Sequence, residues 1–142
     1  MRSLLDVNVL IALLDADHSL HEQATAWLRA HAGEGWASCP LTQNGCLRVM
    51  SMATYRHPLP VSAVAARLAE ACATPLHEFW AGDFSVLDSR VVDISRVHGP
   101  KQLTDVYLLA LAVRHGGRLV TFDGAIARNA VVDAGPRHLF AL

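Results

Sequence analysis

Short apolar stretches alternate with helix-spaced patterns from one end of this chain to the other, and that alternation leaves few architectures open. Leu4 and Leu5 end a short apolar run at Asp6, and Val7 to Leu14 is apolar at nearly every position. This reads as a buried strand running straight into a buried helix. From Ser19 to Ala32, Leu20, Ala24, Trp27 and Leu28 recur at helical spacing between polar residues, which predicts an amphipathic helix closed by Gly33 and Gly35. Trp36 to Cys39 predicts a second strand, and Pro40 followed by Thr42 predicts the start of a helix carrying Leu47, Met50 and Ser51 on one side. Pro58 and Pro60 bracket a loop, and Val61 to Ala73 is an alanine-rich helical stretch.

The second half repeats the alternation. Leu76 to Trp80 and Val91 to Ile94 are strand-like around a predicted short helix. Thr104 stands as the expected N-cap of a strongly periodic helix that ends at Gly116-Gly117. Arg118 to Phe122 predicts a strand, Asp123-Gly124 a turn, and Leu139 to Leu142 a last strand. Strands alternating with helices along one chain imply an α/β sandwich with a parallel sheet.

At 142 residues with 52% hydrophobic content, the chain is expected to form one domain, residues 1–142, and disorder is excluded. The apolar excess on so small a chain points to a face buried by a partner. Three cysteines, Cys39, Cys46 and Cys72, form neither a CxxC pair nor a zinc spacing, so a reducing, cytoplasmic compartment is expected. Asp6 and Asn8 interrupt the apolar amino-terminal stretch, and Val9 to Leu14 falls far short of the ~18–20 residues of a membrane helix; no membrane role is expected. Eight histidines include no HExxH, and GxSxG, GxxxxGK[ST] and GxGxxG are absent, so nothing supports a serine hydrolase or a nucleotide cofactor.

Three acids fall at element boundaries. Asp6 follows the first strand, Asp123 follows a late strand, and Asp105 lies in the first turn of the most periodic helix. The carboxyl ends of parallel strands share one edge of the sheet, where open α/β folds bind ligands. An unpaired charge inside an apolar run is costly, which marks Asp6 as functional. Three carboxylates at one edge suit a hard cation, since Mg²⁺ takes oxygen ligands and clustered like charges otherwise raise one another's pKa.

The segments LLDVNVLIALLDADHSLHEQATAWL, WASCPLTQNGCLRVMS, HEFWAGDFSVLD and LTDVYLLALAVRHGGRLVTFDGAI together resemble the PIN-domain ribonucleases of the VapC toxin type, nearly end to end and in the same order. The resemblance implies a PIN-like three-layer α/β sandwich, its central mostly parallel sheet flanked by helices. It further implies Mg²⁺- or Mn²⁺-dependent cleavage of RNA, a homodimer, and inhibition by a VapB-type antitoxin. Asp6, Asp105 and Asp123 match the family's metal-site acids, and Asn8, Thr104 and Thr121 are expected to orient them. A fourth catalytic acid is expected in the CPLTQNG segment, where Gln43 stands instead of Glu, and no acid lies between Glu34 and Glu70 to replace it. Gln keeps a carbonyl oxygen but carries no charge and cannot serve as a base. On this reading Gln43→Glu would raise metal affinity and cleavage. The competing reading is a catalytically weak binding module that dimerises and holds an antitoxin.

A net charge of -1 does not advertise nucleic acid, yet eleven of the twelve bases are Arg, the residue suited to bidentate phosphate contacts. Arg90, Arg96 and Lys101, with His98 among them, form the one local cluster and precede Asp105; Arg48, about one turn beyond Gln43, is a second candidate contact for RNA. A phosphate-accepting receiver domain is disfavoured, because it needs a lysine at a late strand end and Lys101 lies just after Gly99-Pro100.

Overall fold

The computed structural model describes residues 1–142. Five short strands, β1 (Ser3–Leu5), β2 (Trp36–Ser38), β3 (His77–Phe79), β4 (Arg118–Thr121) and β5 (Leu139–Ala141), form one sheet in the order β3-β2-β1-β4-β5. All four pairings are parallel, with Leu5 opposite Val120 and Ser38 opposite Phe79. The chain builds outward from β1 to β2 and β3, then returns to the other side of β1 for β4 and β5. The order therefore reverses between β1 and β4, and a crevice opens at such a point beyond the strands' carboxyl ends.

Helices α1 (Val7–Leu14), α2 (His21–His31), α3 (Pro40–Ser51), α4 (Val61–Cys72) and α5 (Leu103–Arg114) supply the outer layers. Alternate strand residues face opposite sides, so both sides of the sheet must be covered by apolar surface. Leu4 and Leu119 pack with Val106, Leu108 and Leu111 of α5 and with Trp80. Leu5 and Val120 pack with Val9 of α1, Cys46 and Met50 of α3, and Val64 and Leu68 of α4. This double burial is why Leu4-Leu5 and Leu119-Val120 show no polar alternation. Gly45 lets α3 close on α1, since a Cβ there would lie 2.7 Å from Val7 Cγ2. Gly116, at φ +63°, ends α5 in the left-handed conformation that favours glycine.

Two local expectations are corrected. Thr104 is not the cap of α5: Pro100 opens a 3-10 turn over Pro100–Gln102 that runs directly into the helix, Gln102 occupies the cap position, and Thr104 lies exposed in the first turn. Proline's fixed φ starts the helical path upstream of the hydroxyl. Val91 to Ile94 forms no strand, and turns replace the short helix before it. Its one ladder contact is an isolated antiparallel bridge between Val92 and Val131, apart from the five-stranded sheet.

Candidate active site

Asp6 leaves the end of β1 and caps α1. Its backbone N–H continues the ladder by donating to Val120 O at 3.0 Å, while its Oδ1 accepts from Val7 N at 2.7 Å. The residue is only 8% exposed. Thr121, the last residue of β4 and 1% exposed, reaches across the strand pair: its Oγ1 donates to Asp6 Oδ2 at 2.8 Å and accepts from Asp123 N at 3.0 Å. One hydroxyl thus ties the carboxylate at the end of β1 to the backbone of the acid just beyond β4. Asp123 fixes its own loop by accepting from Ala125 N at Oδ1, 2.8 Å, and remains exposed.

Asp105, in the first turn of α5, is half-buried. Burial first, and then the charges of Asp6 and Asp123, push its carboxyl up to about 6. Burial likewise raises Asp6; the hydrogen bonds from Thr121 and Val7 oppose the rise, and the charge of Asp123 adds to it. No lysine or arginine forms an ion pair with any of the three, all six ion pairs lying elsewhere. The crevice therefore concentrates negative charge on oxygen donors without a counter-charge, the donor chemistry that suits a hard divalent cation. The carboxylates do not close into a ready-made set of three ligands around one point. Mg²⁺ does not require that, since it is held by one or two carboxylates and keeps several waters.

Of the groups expected to orient the acids, Thr121 contacts two of them. Asn8 lies exposed on α1 and Thr104 exposed on α5, and neither side chain hydrogen-bonds to an aspartate. Helical geometry explains this, as each side chain leaves its helix toward solvent rather than back toward the sheet edge.

Gln43 is the largest departure from expectation. Its side chain does not join the aspartates. Nε2 donates to Ser38 Oγ at 2.9 Å, and Ser38 Oγ pairs with His77 Nε2 at 2.8 Å. The Cys72 thiol lies 4.0 Å from both Ser38 Oγ and Gln43 Nε2. Ser38 is fully buried and shares its side of β2 with Trp36, which packs in the α1–α4 layer, whereas Ala37 and Cys39 face the α5 core. Gln43 is thereby held over the layer on the other side of the sheet from α5. Sequence reasoning missed Ser38, His77 and Cys72, because only the β2–β3 register and the return of α4 bring these distant positions to Gln43.

The proposed phosphate contacts also divide. Arg90 donates from Nε and Nη2 to Asp88, and Arg96 pairs with Asp93 at 3.1 Å, so local aspartates already neutralise both. Lys101, in the turn leading into α5, and Arg48, on α3, are exposed and form no ion pair.

A parallel sheet with acids at the β1–β4 reversal and at the start of α5 defines a class, and comparison agrees: the PIN domain family model matches residues 3–132, and this chain belongs to that family. The chain is 56% identical to Ribonuclease VapC44 of Mycobacterium tuberculosis strain H37Rv across all 142 residues and the whole of that protein. It is 40% identical to Ribonuclease VapC39 of the same strain over 131 residues, 92% of this chain and 94% of that one. Among solved structures, VapBC2 from Rickettsia felis, bound to a promoter DNA fragment, superposes with a TM-score of 0.61 at 11% identity, covering 100% of this chain and 98% of that one. The sarcin-ricin-loop-cleaving toxin VapC20 of M. tuberculosis gives 0.61 at 15% identity, covering 94% and 99%. FitAcB of Neisseria gonorrhoeae gives 0.60 at 19%, covering 97% and 96%. At these identities the three structures speak for the fold.

Proposed function

We propose that this protein is a Mg²⁺- or Mn²⁺-dependent endoribonuclease, the toxin of a toxin–antitoxin pair, with Asp6, Asp105 and Asp123 holding the cation. The observation that carries the reading is the link from Asp6 to Asp123 through Thr121, with the charges of both acting on Asp105 and no cation paired to any of the three, in a chain 56% identical to a named VapC ribonuclease. A bound divalent cation supplies Lewis acidity at a phosphodiester and a more acidic water. The protein's part is positional: Asp6 is fixed at both carboxylate oxygens, Asp123 by its backbone and its loop, and Asp105 is brought in by the helix start. Burial and the charges of Asp6 and Asp123 raise Asp105 to about 6, and a cation held there would offset those charges and favour its ionised form.

An antitoxin partner is supported by the toxin–antitoxin complexes among the similar structures and by an apolar cavity of about 490 Å³ between α1, α2 and α4, lined by Leu10, Leu13, Leu14, Leu28 and Leu68. An amphipathic antitoxin helix fits such a groove. The same reading includes a homodimer, a cytoplasmic site of action, and residues 1–142 acting as one unit; no helix is long and apolar enough to cross a membrane, and all three cysteines are free.

The test is cleavage of a panel of structured RNAs in Mn²⁺ and in EDTA, with Asp6→Asn alongside. The expected result is cleavage in Mn²⁺ alone, lost in Asp6→Asn. Metal-independent cleavage, or an Asp6→Asn protein as active as the parent, refutes the reading.

A further inference from the structure

Between α3 and α4 lies a second cavity, of about 600 Å³, lined among others by Gln43, Asn44, Leu47, Ala65, Ala69 and Cys72. Its size falls in the range of small-molecule sites, about 300–1,000 Å³. No charged side chain lines it, so it suits neither a free phosphate nor a metal ion. Alanines on the α4 wall leave flat apolar space, and the polar groups gather at the first turns of α3. A flat, neutral ligand with a hydrogen-bonding edge matches that combination.

The polar edge is held in place from behind. Ser38 is fully buried, and its hydroxyl joins the Gln43 amide to His77 on β3, which fixes the rotamer of Gln43. With Nε2 so engaged, Gln43 Oε1 accepts no hydrogen bond within the protein, and the exposed amide of Asn44 makes none. Adjacent amides offering donors and acceptors are the side chains that read nucleobase edges. Arg48 lies four residues beyond Asn44 on the same face of α3, exposed and without an ion-pair partner, where a phosphate can take its charge. The cavity also adjoins the acidic crevice through the fold: α3 starts at the carboxyl end of β2, beside the β1 end that carries Asp6, and Gly45 packs against Val7.

We propose that the α3–α4 cavity receives one unpaired base of the RNA substrate, its edge read by Gln43 and Asn44, with Arg48 gripping an adjoining phosphate. The proposal rests on the ribonuclease reading and gives Gln43 a role in selecting substrate rather than in holding metal.

The experiment uses the isotopically labelled full chain in EDTA, titrated with each of the four nucleoside 5′-monophosphates and with fluorescein-labelled single-stranded RNA hexamers of differing sequence. The side-chain amide resonances of Gln43 and Asn44 should shift saturably, most strongly for one base. Asn44→Ala, at an exposed position that threatens no core packing, should weaken the preferred hexamer at least about fivefold and flatten the preference among sequences. Arg48→Ala should weaken every hexamer about equally and reduce the salt dependence by about one phosphate contact. Unmoved amides overturn the proposal. So do amide shifts produced by raising protein concentration alone or by an antitoxin peptide alone, which would mark a self-association or antitoxin face. Mn²⁺-dependent cleavage run in parallel separates the two readings: cleavage with unmoved amides removes the base pocket and leaves the nuclease intact.

Discussion

Removing one charge from the acidic crevice should stabilise the metal-free protein and destabilise it relative to the parent once a cation is bound. Asp105 is the position to change, because burial and the charges of Asp6 and Asp123 push its carboxyl from 3.8 up to about 6. Such a rise corresponds to about 3 kcal/mol of differential stability between the protonated and ionised forms. The carboxyl is half-exposed, and solvent screening reduces this to about 1–1.5 kcal/mol. Asparagine forgoes the favourable negative charge at the start of α5, about 0.3–1 kcal/mol. Asp105→Asn is therefore expected to gain about 0–1.2 kcal/mol at pH 8 in EDTA, a rise of up to about 4 °C in Tm at this chain length.

The pH dependence has a definite sign. A folded-state pKa above the unfolded one means that the folded protein holds the proton more tightly, so the parent loses stability as pH rises from about 4 through 6. The advantage of the asparagine is present at pH 8 and gone at pH 4. With Mn²⁺ at about a hundredfold excess over its Kd the parent gains about 2.7 kcal/mol, and the variant, short of a ligand, gains less. The order of stabilities then inverts. Urea denaturation at both pH values, in EDTA and in Mn²⁺, measures all four conditions. An Asp105→Asn protein whose stability relative to the parent does not improve from pH 4 to pH 8 in EDTA, or one stabilised equally by Mn²⁺, refutes the argument.

Two further outcomes follow from the hydrogen bonds. Thr121→Val keeps the shape of the side chain but strips Asp6 Oδ2 of its donor and Asp123 N of its acceptor; it should cost about 1–3 kcal/mol and lower Mn²⁺ affinity about 10–100-fold, read by denaturation and by calorimetric titration. Tyr55→Phe removes the hydroxyl that donates to Asp15 and holds that carboxyl below its usual range. It should cost about 1 kcal/mol at pH 7, and the difference should shrink as pH falls through the depressed pKa of Asp15, because that contribution is present above the unfolded pKa and lost on protonation. A pH-independent difference would assign the effect to packing.

How much of this was legible beforehand depends on whether the signal is local. Leu4-Leu5-Asp6 announced a strand end and an acid because burying an unpaired carboxylate in an apolar run is costly, and Asp105 and Asp123 declared themselves by standing at a helix start and a strand end. Thr104 failed as a cap because one proline, Pro100, moved the helix start upstream. Arg90 and Arg96 looked like free cations in the sequence, but turns returned each to an aspartate two or three residues away.

The alternation of strand and helix, the double burial of the strands and the three acids at element ends were determined by the sequence, since period, composition and capping act over a few residues. Which acids meet was decided by tertiary structure. The reversal of strand order between β1 and β4 places Thr121 where one hydroxyl serves both Asp6 and Asp123. The pairing of β2 with β3 sets Ser38 beside His77, and the amide of Gln43 hydrogen-bonds to that pair rather than to an aspartate. Side-chain direction across a sheet changes with each residue of register, and register depends on partners distant in sequence.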